Sequence, residues 1–521
     1  MGNWEVLSQT SIMGPGVKSA SMYQALGNKL LNAHILRRRS RSVCTLFDRK
    51  DGFQTPAQWL RDGNVLGILV DQHAGDGGVW CPFFGRLAST TNLAALLSRR
   101  TGAPVVPLTV ETIGPARWRI VCGEVLPGGR TGMDVDHATA RMNQVLEEGI
   151  RRSPADWFWV HNRWKTPNPD FLLVRYKRGI TLLPGQAVEN LQRFEVLIRS
   201  SNWLGDACMA VPAVRAIRRG RPDARVTVLT PQKLAGFWQL VPEVDAVIPI
   251  PPKTGILGAA RAVRRTGIRY DAAVLLPNSL RTALEARLAG VPRVVGYQGH
   301  HRKWLLHQII PKKKRITPVE HHVRHYLRIA WRLGADVNDP TLHNPLPGPA
   351  RSHAGGGKVK IGICAGAEYG PAKRWPLDRF AAAIQQITAT LNAEISLFGA
   401  PGEKAMGEAL STMLDGQCRN LIGKTSLAEL ISELRGCRLL LTNDTGTMHL
   451  AALLGTPVVA IFGSTEPAWT GPLGEGHTVI REHVECSPCF LRQCPMDFRC
   501  MNAVTADRVA STVRTLLGAA A

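Results

Sequence analysis

The sequence has no apolar run long enough to cross a bilayer. Its longest apolar stretches, such as 65–70 and 457–463, fall far short of the roughly 18 to 20 residues that a membrane span needs. The first residues also lack a basic segment followed by an apolar run, so we predict no secretory signal. We therefore expect a cytoplasmic protein, at most peripheral to a membrane, whose 11 cysteines are mainly reduced.

Acidic residues are scarce. Only 40 Asp and Glu stand against 64 Lys and Arg, which gives a net charge of +24. With 45% hydrophobic and 20% charged residues the chain can bury a core, which excludes a disordered protein. The basic excess indicates an anionic partner, either nucleic acid, an acidic membrane surface or a phosphorylated substrate. Because the sequence contains no zinc finger, RNA-binding strand motif or basic heptad region, we predict that nucleic acid is not the partner.

The composition of the chain and its pattern of strands and helices change near residue 170. Residues 1–170 mix short strands with helices and form a first predicted α/β domain, and 171–193 has the composition of a basic linker. From Phe194 apolar strands alternate with amphipathic helices, which is typical of a parallel sheet covered on both faces. A Pro- and Gly-rich break at 345–357 predicts two Rossmann-like domains, 194–350 and 351–521, with a ligand cleft at the carboxyl ends of their strands.

The first strand of the tandem region leads directly into Ser-Asn-Trp-Leu-Gly-Asp, and Asp206 falls at the start of a helix predicted from about Ala207. A helix N-terminus keeps a carboxylate ionised, so Asp206 could accept a proton from a substrate hydroxyl. The alternative is an ordinary N-cap aspartate. The spacing alone does not choose between them.

The second Rossmann-like unit opens with a strand and a Gly-rich turn that ends in adjacent cations, Lys373 and Arg374. This arrangement suits a diphosphate, since Lys373 supplies a point charge and Arg374 a planar fork. A solvated basic loop is the alternative. Farther along, Asp444 follows a buried strand and could bind sugar hydroxyls, while the amides of 445–447 open a helix that could hold phosphate.

His449 follows in the same helix and either faces the cleft or is a core histidine. Residues 194–521 contain no Asp-x-Asp metal motif. The one such sequence in the chain, at 134–136, precedes a helix and is read as a cap.

With these motifs in this order, 194–519 resembles the glycosyltransferase family 9 heptosyltransferases, and Gly-Ala-Glu-Tyr-Gly-Pro-Ala-Lys-Arg-Trp-Pro and Leu-Leu-Pro-Asn-Ser resemble the heptosyltransferase II type. The resemblance implies a GT-B fold and an inverting, metal-independent transfer of L-glycero-D-manno-heptose from ADP-heptose to the inner core of lipopolysaccharide, without a cofactor. It assigns the general base to Asp206, diphosphate binding to Lys373 and donor-sugar binding to Asp444. It also implies donor-binding roles for Thr445, Gly446, Thr447 and His449, and places Gly399 and Glu403 near the adenosine.

Residues 1–166 resemble the lipid A biosynthesis acyltransferases through Gly-Asn-Trp-Glu (2–5), Pro-Phe-Phe-Gly-Arg-Leu-Ala-Ser-Thr (82–90) and Trp-Phe-Trp-Val-His-Asn-Arg-Trp-Lys-Thr (157–166). That family implies acyl transfer from acyl carrier protein to a lipid A precursor by a His-x4-acid pair. The acid would be Glu5, and its histidine would stand immediately before Met1, so we predict that this domain is inactive in acyl transfer. Two explanations stay open: a start assigned too far downstream, which would make the protein bifunctional, and a remnant kept as a lipid A-binding scaffold.

Both resemblances predict lipid A or core lipopolysaccharide as a partner and a location at the cytoplasmic face of the inner membrane. Arg37, Arg38, Arg39 and Arg41 could bind lipid A phosphates or an acidic carrier protein, and a solvated helix face is the alternative. His73 and His161 lack the acid spacing of the acyltransferase pair. Cys486, Cys489, Cys494 and Cys500 could hold a structural zinc, although the second Cys-x-x-Cys of a zinc ribbon is missing, and free thiols are the alternative.

Overall fold

The computed structural model of the protein describes residues 18–39, 44–75, 77–129, 134–164, 172, 179–299, 301–311, 319–348 and 358–518. The chain divides into two compact units, Met1–Arg193 and Phe194–Ala521. Among the described residues no helix is both long enough and apolar enough to span a membrane. Glu5, Arg41 and most of the predicted hinge at 345–357 lie outside the described residues.

The first unit combines a small parallel sheet with two antiparallel hairpins. The parallel sheet has the order β2-β1-β3, and the hairpins pair β4 with β5 and β6 with β7 when strands are numbered along the chain. The strands are β1 (Ser19–Tyr23), β2 (Cys44–Asp48), β3 (Val65–Gly67), β4 (Val79–Phe83), β5 (Arg86–Thr90), β6 (Leu108–Gly114) and β7 (Arg117–Cys122). The helices are α1 (Lys29–Arg39), α2 (Gln54–Arg61), α3 (Leu93–Thr101) and α4 (Val135–Arg152).

Part of the segment predicted as a linker is held on the first unit. The amide of Thr181 donates to the Trp80 carbonyl (2.9 Å), and Leu191 packs with Trp80 and Leu87 in a small apolar cluster. The boundary between the two compact units therefore falls after Arg193.

The second unit contains two six-stranded parallel sheets, each with helices along its strands. The first sheet consists of β8 (Phe194–Arg199), β9 (Ala224–Pro231), β10 (Ala246–Ile250), β11 (Ala272–Leu275), β12 (Val294–Tyr297) and β13 (Gln308–Ile310). Its helices are α5 (Leu204–Gly220), α6 (Ala235–Trp238), α7 (Ile256–Arg264), α8 (Leu280–Leu288) and α9 (Val323–Arg332).

The second sheet consists of β14 (Val359–Cys364), β15 (Ala393–Leu397), β16 (Arg419–Asn420), β17 (Leu439–Asn443), β18 (Val458–Phe462) and β19 (Thr478–Arg481). Its helices are α10 (Leu377–Thr388), α11 (Lys404–Met413), α12 (Leu427–Gly436), α13 (Gly446–Leu453), α14 (Pro467–Thr470), α15 (Arg499–Asn502) and α16 (Ala506–Gly518).

Both sheets have the same strand order, counted within each sheet as 3-2-1-4-5-6. This is the doubly wound order in which the strand sequence reverses between the first and fourth strands, and ligands bind at the carboxyl ends beside that reversal. The strands are buried runs such as Leu439–Asn443 because helices exclude water from both faces. The predicted tandem of doubly wound units is confirmed.

Candidate active site

Asp206 lies in the first turn of α5, directly after the central strand β8. Its Oδ1 accepts a hydrogen bond from the Tyr326 hydroxyl (3.1 Å) and lies 3.6 Å from His322 Nε2. The Asp206 side chain keeps 29% of its exposure, so a substrate can reach it. The carboxylate is therefore both held by the protein and open on one side.

The neighbours of Asp206 are uncharged at neutral pH. Burial, reinforced by the negative charge of Asp206, raises the pKa of Tyr326 well above its usual value. Burial lowers the pKa of His322, and the attraction of Asp206 only partly offsets this effect. The Tyr326 hydroxyl consequently acts as a neutral hydrogen-bond donor.

A second polar centre forms at the carboxyl edge of the other sheet, around Asp444. Lys373 Nζ lies 2.5 Å from Asp444 Oδ2, and both side chains are nearly buried, with 12% and 5% of their exposure left. The hydroxyls of Thr465 and Thr470 reach the same oxygen at 2.7 and 3.5 Å. Three donors thus converge on one carboxylate oxygen.

The loop that carries Lys373 is tied to the end of β17. The Asn443 side chain accepts from the Trp375 amide (3.1 Å) and donates to the Ala365 carbonyl (2.7 Å). Lys373 Nζ also stands 4.7 Å from the centroid of the Tyr369 ring, within the range of a cation–π contact. Unlike Lys373, which pairs with Asp444, Arg374 donates through its guanidinium to the Ala367 carbonyl (3.3 Å) on its own loop.

Two helix starts meet between these centres. A Cβ on Gly446 would stand 3.2 Å from the Gly205 nitrogen, and a Cβ on Gly205 would stand 3.0 Å from His449 Cδ2. A side chain at either position would therefore crowd the close approach of α5 and α13. Thr445 caps α13 by accepting from the Thr447 amide (3.1 Å), so that amide already has a partner in the protein.

His449 is buried behind the two centres. Burial lowers its pKa to about 4, although the Asp444 charge acts in the opposite direction. His449 is therefore a neutral ring packed against Gly205.

Glu403 joins the turns that follow β14 and β15. Its Oε2 accepts from the Ala400 amide (2.9 Å), and a Cβ on Gly366 or Gly399 would stand 2.1 or 2.9 Å from its carboxylate. The structure thus brings Gly399 and Glu403 together with the Gly-rich turn that leads to Lys373.

A basic cavity of about 320 Å³ opens at the carboxyl ends of β8 to β11. Lys233 and Lys253 line it, together with Arg199 and Arg281, which share the single carboxylate of Glu285 at 2.8 Å each. Four cations against one carboxylate leave a net positive charge. This cavity could not be predicted from the sequence, because the residues that line it come from four separate loops and strand ends.

The sequence also missed Tyr326, His322, Thr465 and Thr470. The only available signal was the cluster His-His-Val-Arg-His-Tyr at 321–326, which concentrates three histidines and a tyrosine in six residues. Thr465 lies in the loop after β18 and Thr470 at the end of the short helix α14, in a segment of ordinary composition.

The zinc hypothesis gains no support. All four cysteines of 486–500 are free thiols, and no group of three or more His, Cys, Asp or Glu within the described residues is arranged to hold a metal ion. In the first unit, His161 Nε2 accepts from the His73 amide (3.0 Å). Arg37, Arg38 and Arg39 form the end of α1, which has no buried residue.

Comparisons with known proteins agree with this geometry. Residues 256–498 match the model of glycosyltransferase family 9 (heptosyltransferase). The lipopolysaccharide heptosyltransferase 2 of Escherichia coli K12 is 32% identical over 309 residues, which cover 55% of this chain and 88% of the relative. The chain belongs to glycosyltransferase family 9. It is an enzyme of the glycosyltransferase class, as predicted.

The family 9 region also has a solved counterpart. The structure of Escherichia coli ADP-heptose lps heptosyltransferase II superposes with a TM-score of 0.52 at 28% identity, covering 62% of this chain and 98% of that one. The predicted GT-B fold is confirmed.

Residues 1–166 match the model of the bacterial lipid A biosynthesis acyltransferases, which confirms the second resemblance. The lipid A biosynthesis palmitoleoyltransferase of Escherichia coli K12 is 29% identical over 158 residues, 30% of this chain. The chain spans about half the length of that relative, 51%. The family 9 region of the chain is thus preceded by a region that matches part of a lipid A biosynthesis acyltransferase.

Proposed function

We propose that this family 9 enzyme transfers heptose from ADP-heptose to the inner core of lipopolysaccharide. The observation that carries the proposal is the pair of facing centres: an accessible carboxylate at the start of α5 and the Lys373–Asp444 pair beside the start of α13. The proposed sugar and acceptor are those in the names of the similar proteins, lipopolysaccharide heptosyltransferase 2 and ADP-heptose lps heptosyltransferase II.

In the proposed reaction Asp206 removes the proton of an acceptor hydroxyl, whose oxygen attacks the anomeric carbon opposite the departing ADP. Configuration at that carbon is inverted. Lys373 and the positive end of the α13 helix dipole stabilise the negative charge that develops on the leaving diphosphate. Asp444 accepts hydrogen bonds from the donor sugar. Gly399 and Glu403 line the adenosine side, and Arg374 adds positive charge at the rim.

We assign the basic cavity to the anionic part of the acceptor. It lies at the carboxyl ends of the strands of the first sheet, and Arg199 at the end of β8 both lines the cavity and precedes the turn to Asp206. A carboxylated or phosphorylated core sugar would be attracted by its net positive charge. K233E/K253E is expected to raise KM for the acceptor at least tenfold while KM for the donor stays unchanged.

The test is incubation of the full chain with ADP-heptose and a heptose-deficient core acceptor, with product analysis by mass spectrometry. We expect one heptose to be added, in the presence of EDTA as well, and D206N to abolish turnover while ADP still binds. Activity with other sugar nucleotides but not with ADP-heptose would refute the sugar assignment. An active D206N variant would move the base elsewhere.

A second role is proposed for the first unit, that of holding the lipid A part of the acceptor at the cytoplasmic face of the inner membrane. Phe158, Trp159 and Val160 are exposed by 69%, 54% and 84%. Arg151 stands nearby, 4.9 Å from the Phe84 ring centroid, and Phe84 in turn packs against Trp159. Exposed aromatic and apolar side chains beside a basic one are typical of contacts with a lipid headgroup region.

Vesicle sedimentation tests this second role. We expect the full chain to bind vesicles that contain anionic phospholipid, F158S/W159S/V160S to bind weakly, and W304S, which removes another exposed tryptophan, to bind normally. Equal binding by all three proteins would exclude the segment from the contact. Acyl carrier protein, the partner implied by the acyltransferase resemblance, can be tested by titration with its acyl form.

A further inference from the structure

A buried hydroxyl from a distant part of the chain reaches the proposed base. Tyr326 belongs to α9, lies 120 residues beyond Asp206 in sequence, and donates to Asp206 Oδ1 at 3.1 Å. The tyrosine is only 4% exposed, so this contact is shielded from water. A shielded hydrogen bond to a charged acceptor is stronger than an exposed one.

The geometry of this contact is selective for one oxygen. Tyr326 and His322 both approach Oδ1, and within the described part of the chain no hydrogen bond reaches Oδ2. A carboxylate whose Oδ1 is fixed presents Oδ2 in a defined direction. That free oxygen is the one available to take a proton from a hydroxyl in the cleft.

We propose that Tyr326 is a positioning residue for the transfer reaction: it fixes Asp206 through Oδ1 and keeps Oδ2 aimed at the acceptor hydroxyl. This inference rests on the proposed function, because it takes Asp206 as the base. Tyr326 itself does not exchange a proton with the substrate, since its high pKa keeps it neutral.

The other titratable groups around Asp206 do not supply a charge that would hold its carboxylate. His322 and His321 precede α9, Cys208 lies on α5 itself, and His449 faces Gly205 from α13. Burial lowers the pKa of each of the three histidines and raises that of the Cys208 thiol, so all four are uncharged near neutral pH. None of the four therefore supplies a charge that could hold Asp206 in place of the Tyr326 hydroxyl.

The experiment compares Y326F with Y297F. Tyr297 is equally buried and donates to the His325 carbonyl (2.8 Å), so Y297F removes a hydroxyl from the same region without touching Asp206. For Y326F we expect kcat to fall about tenfold or more, with KM for ADP-heptose unchanged. Y297F should keep the wild-type kcat and KM.

A readout without turnover separates this inference from the proposed function. The Asp206 carboxylate is followed by 13C NMR at one fixed pH, with its signal assigned from a D206N sample. We expect its chemical shift to change in Y326F, because the hydrogen bond at Oδ1 is lost, and to stay in Y297F. If the wild type transfers no heptose but the chemical shift changes in Y326F, the proposed function fails and the contact stands. Unchanged kcat, or an unchanged chemical shift in a folded Y326F protein, overturns the positioning role.

Discussion

Removal of the Lys373 amine is expected to affect both stability and donor binding, and the two effects can be separated. In K373M the buried Asp444 carboxylate loses its only cation within the described residues and keeps two threonine hydroxyls. Breaking a buried ion pair costs about 3 to 5 kcal/mol, and the remaining hydroxyls place this case near 3 kcal/mol. Affinity for ADP should fall about tenfold or more, since a charge-assisted contact is lost.

The partner variant D444N should cost less, about 1 kcal/mol, because the Lys373 stem can swing toward solvent and the Tyr369 ring. The double variant K373M/D444N leaves no buried charge, and we expect it to cost about 1 kcal/mol as well. The coupling energy is then the cost of the double variant minus both single costs, 1 − 3 − 1, or about −3 kcal/mol. Stability should largely return in the double variant, whereas turnover should not.

Urea denaturation measures the stabilities, and isothermal titration with ADP measures binding. K360M is the matched control, because Lys360 pairs with Glu433 in the same half of the unit, away from Asp444. It should lose some stability and bind ADP normally. A coupling energy near zero would show that the pair does not hold Asp444, and wild-type ADP affinity in K373M would remove the diphosphate role.

Three further predictions concern neighbouring groups. In G366A the new Cβ meets the Glu403 carboxylate, so donor binding should weaken in a titration with ADP. The double variant G366A/E403A should recover part of the ADP affinity. No recovery would refute the clash between the Cβ and Glu403 as the cause. His449 has a pKa of about 4 when folded and about 6.5 when unfolded, so its contribution to stability is complete above pH 6.5 and is lost toward pH 4 at about 1.4 kcal/mol per unit. Urea denaturation of H449Q should show a weaker loss across that window, and an identical pH dependence would contradict the burial argument. In E285Q the buried Arg199 loses its carboxylate, and we expect about 3 kcal/mol of destabilisation in thermal unfolding, with unchanged stability as the contrary result.

The residues that the sequence identified share a simple property: each stands within a few residues of the carboxyl end of a predicted strand. In a parallel sheet those ends lie at one edge, so local motifs are enough to group them. Lys373 and Asp444 are 71 positions apart in sequence but close in space, because β14 and β17 are adjacent in the sheet. The fold class followed from the same alternation of strands and helices.

What could not be predicted depends on contacts between elements. Tyr326 lies on the buried face of α9, and nothing in a helical pattern distinguishes a core tyrosine from one whose hydroxyl reaches Asp206. The sequence predicts the start of α5 at about Ala207, but the helix begins at Leu204. Gly205 therefore lies inside the first turn, where a Cβ would stand 3.0 Å from His449 Cδ2.

Contacts between the two halves of the second unit also connect the polar centres around Asp206 and Asp444. The His322 amide donates to the Trp469 carbonyl (2.8 Å), and His321 Nε2 lies 3.0 Å from the Gly471 carbonyl. Thr470, between those two carbonyls, reaches Asp444, while His322 itself lies beside Asp206. The segment that adjoins Asp206 is thus bonded to the segment that adjoins Asp444, in addition to the close approach of α5 and α13. A displacement of either half must break these bonds or move both carboxylates together, so these contacts fix the distance between Asp206 and Asp444.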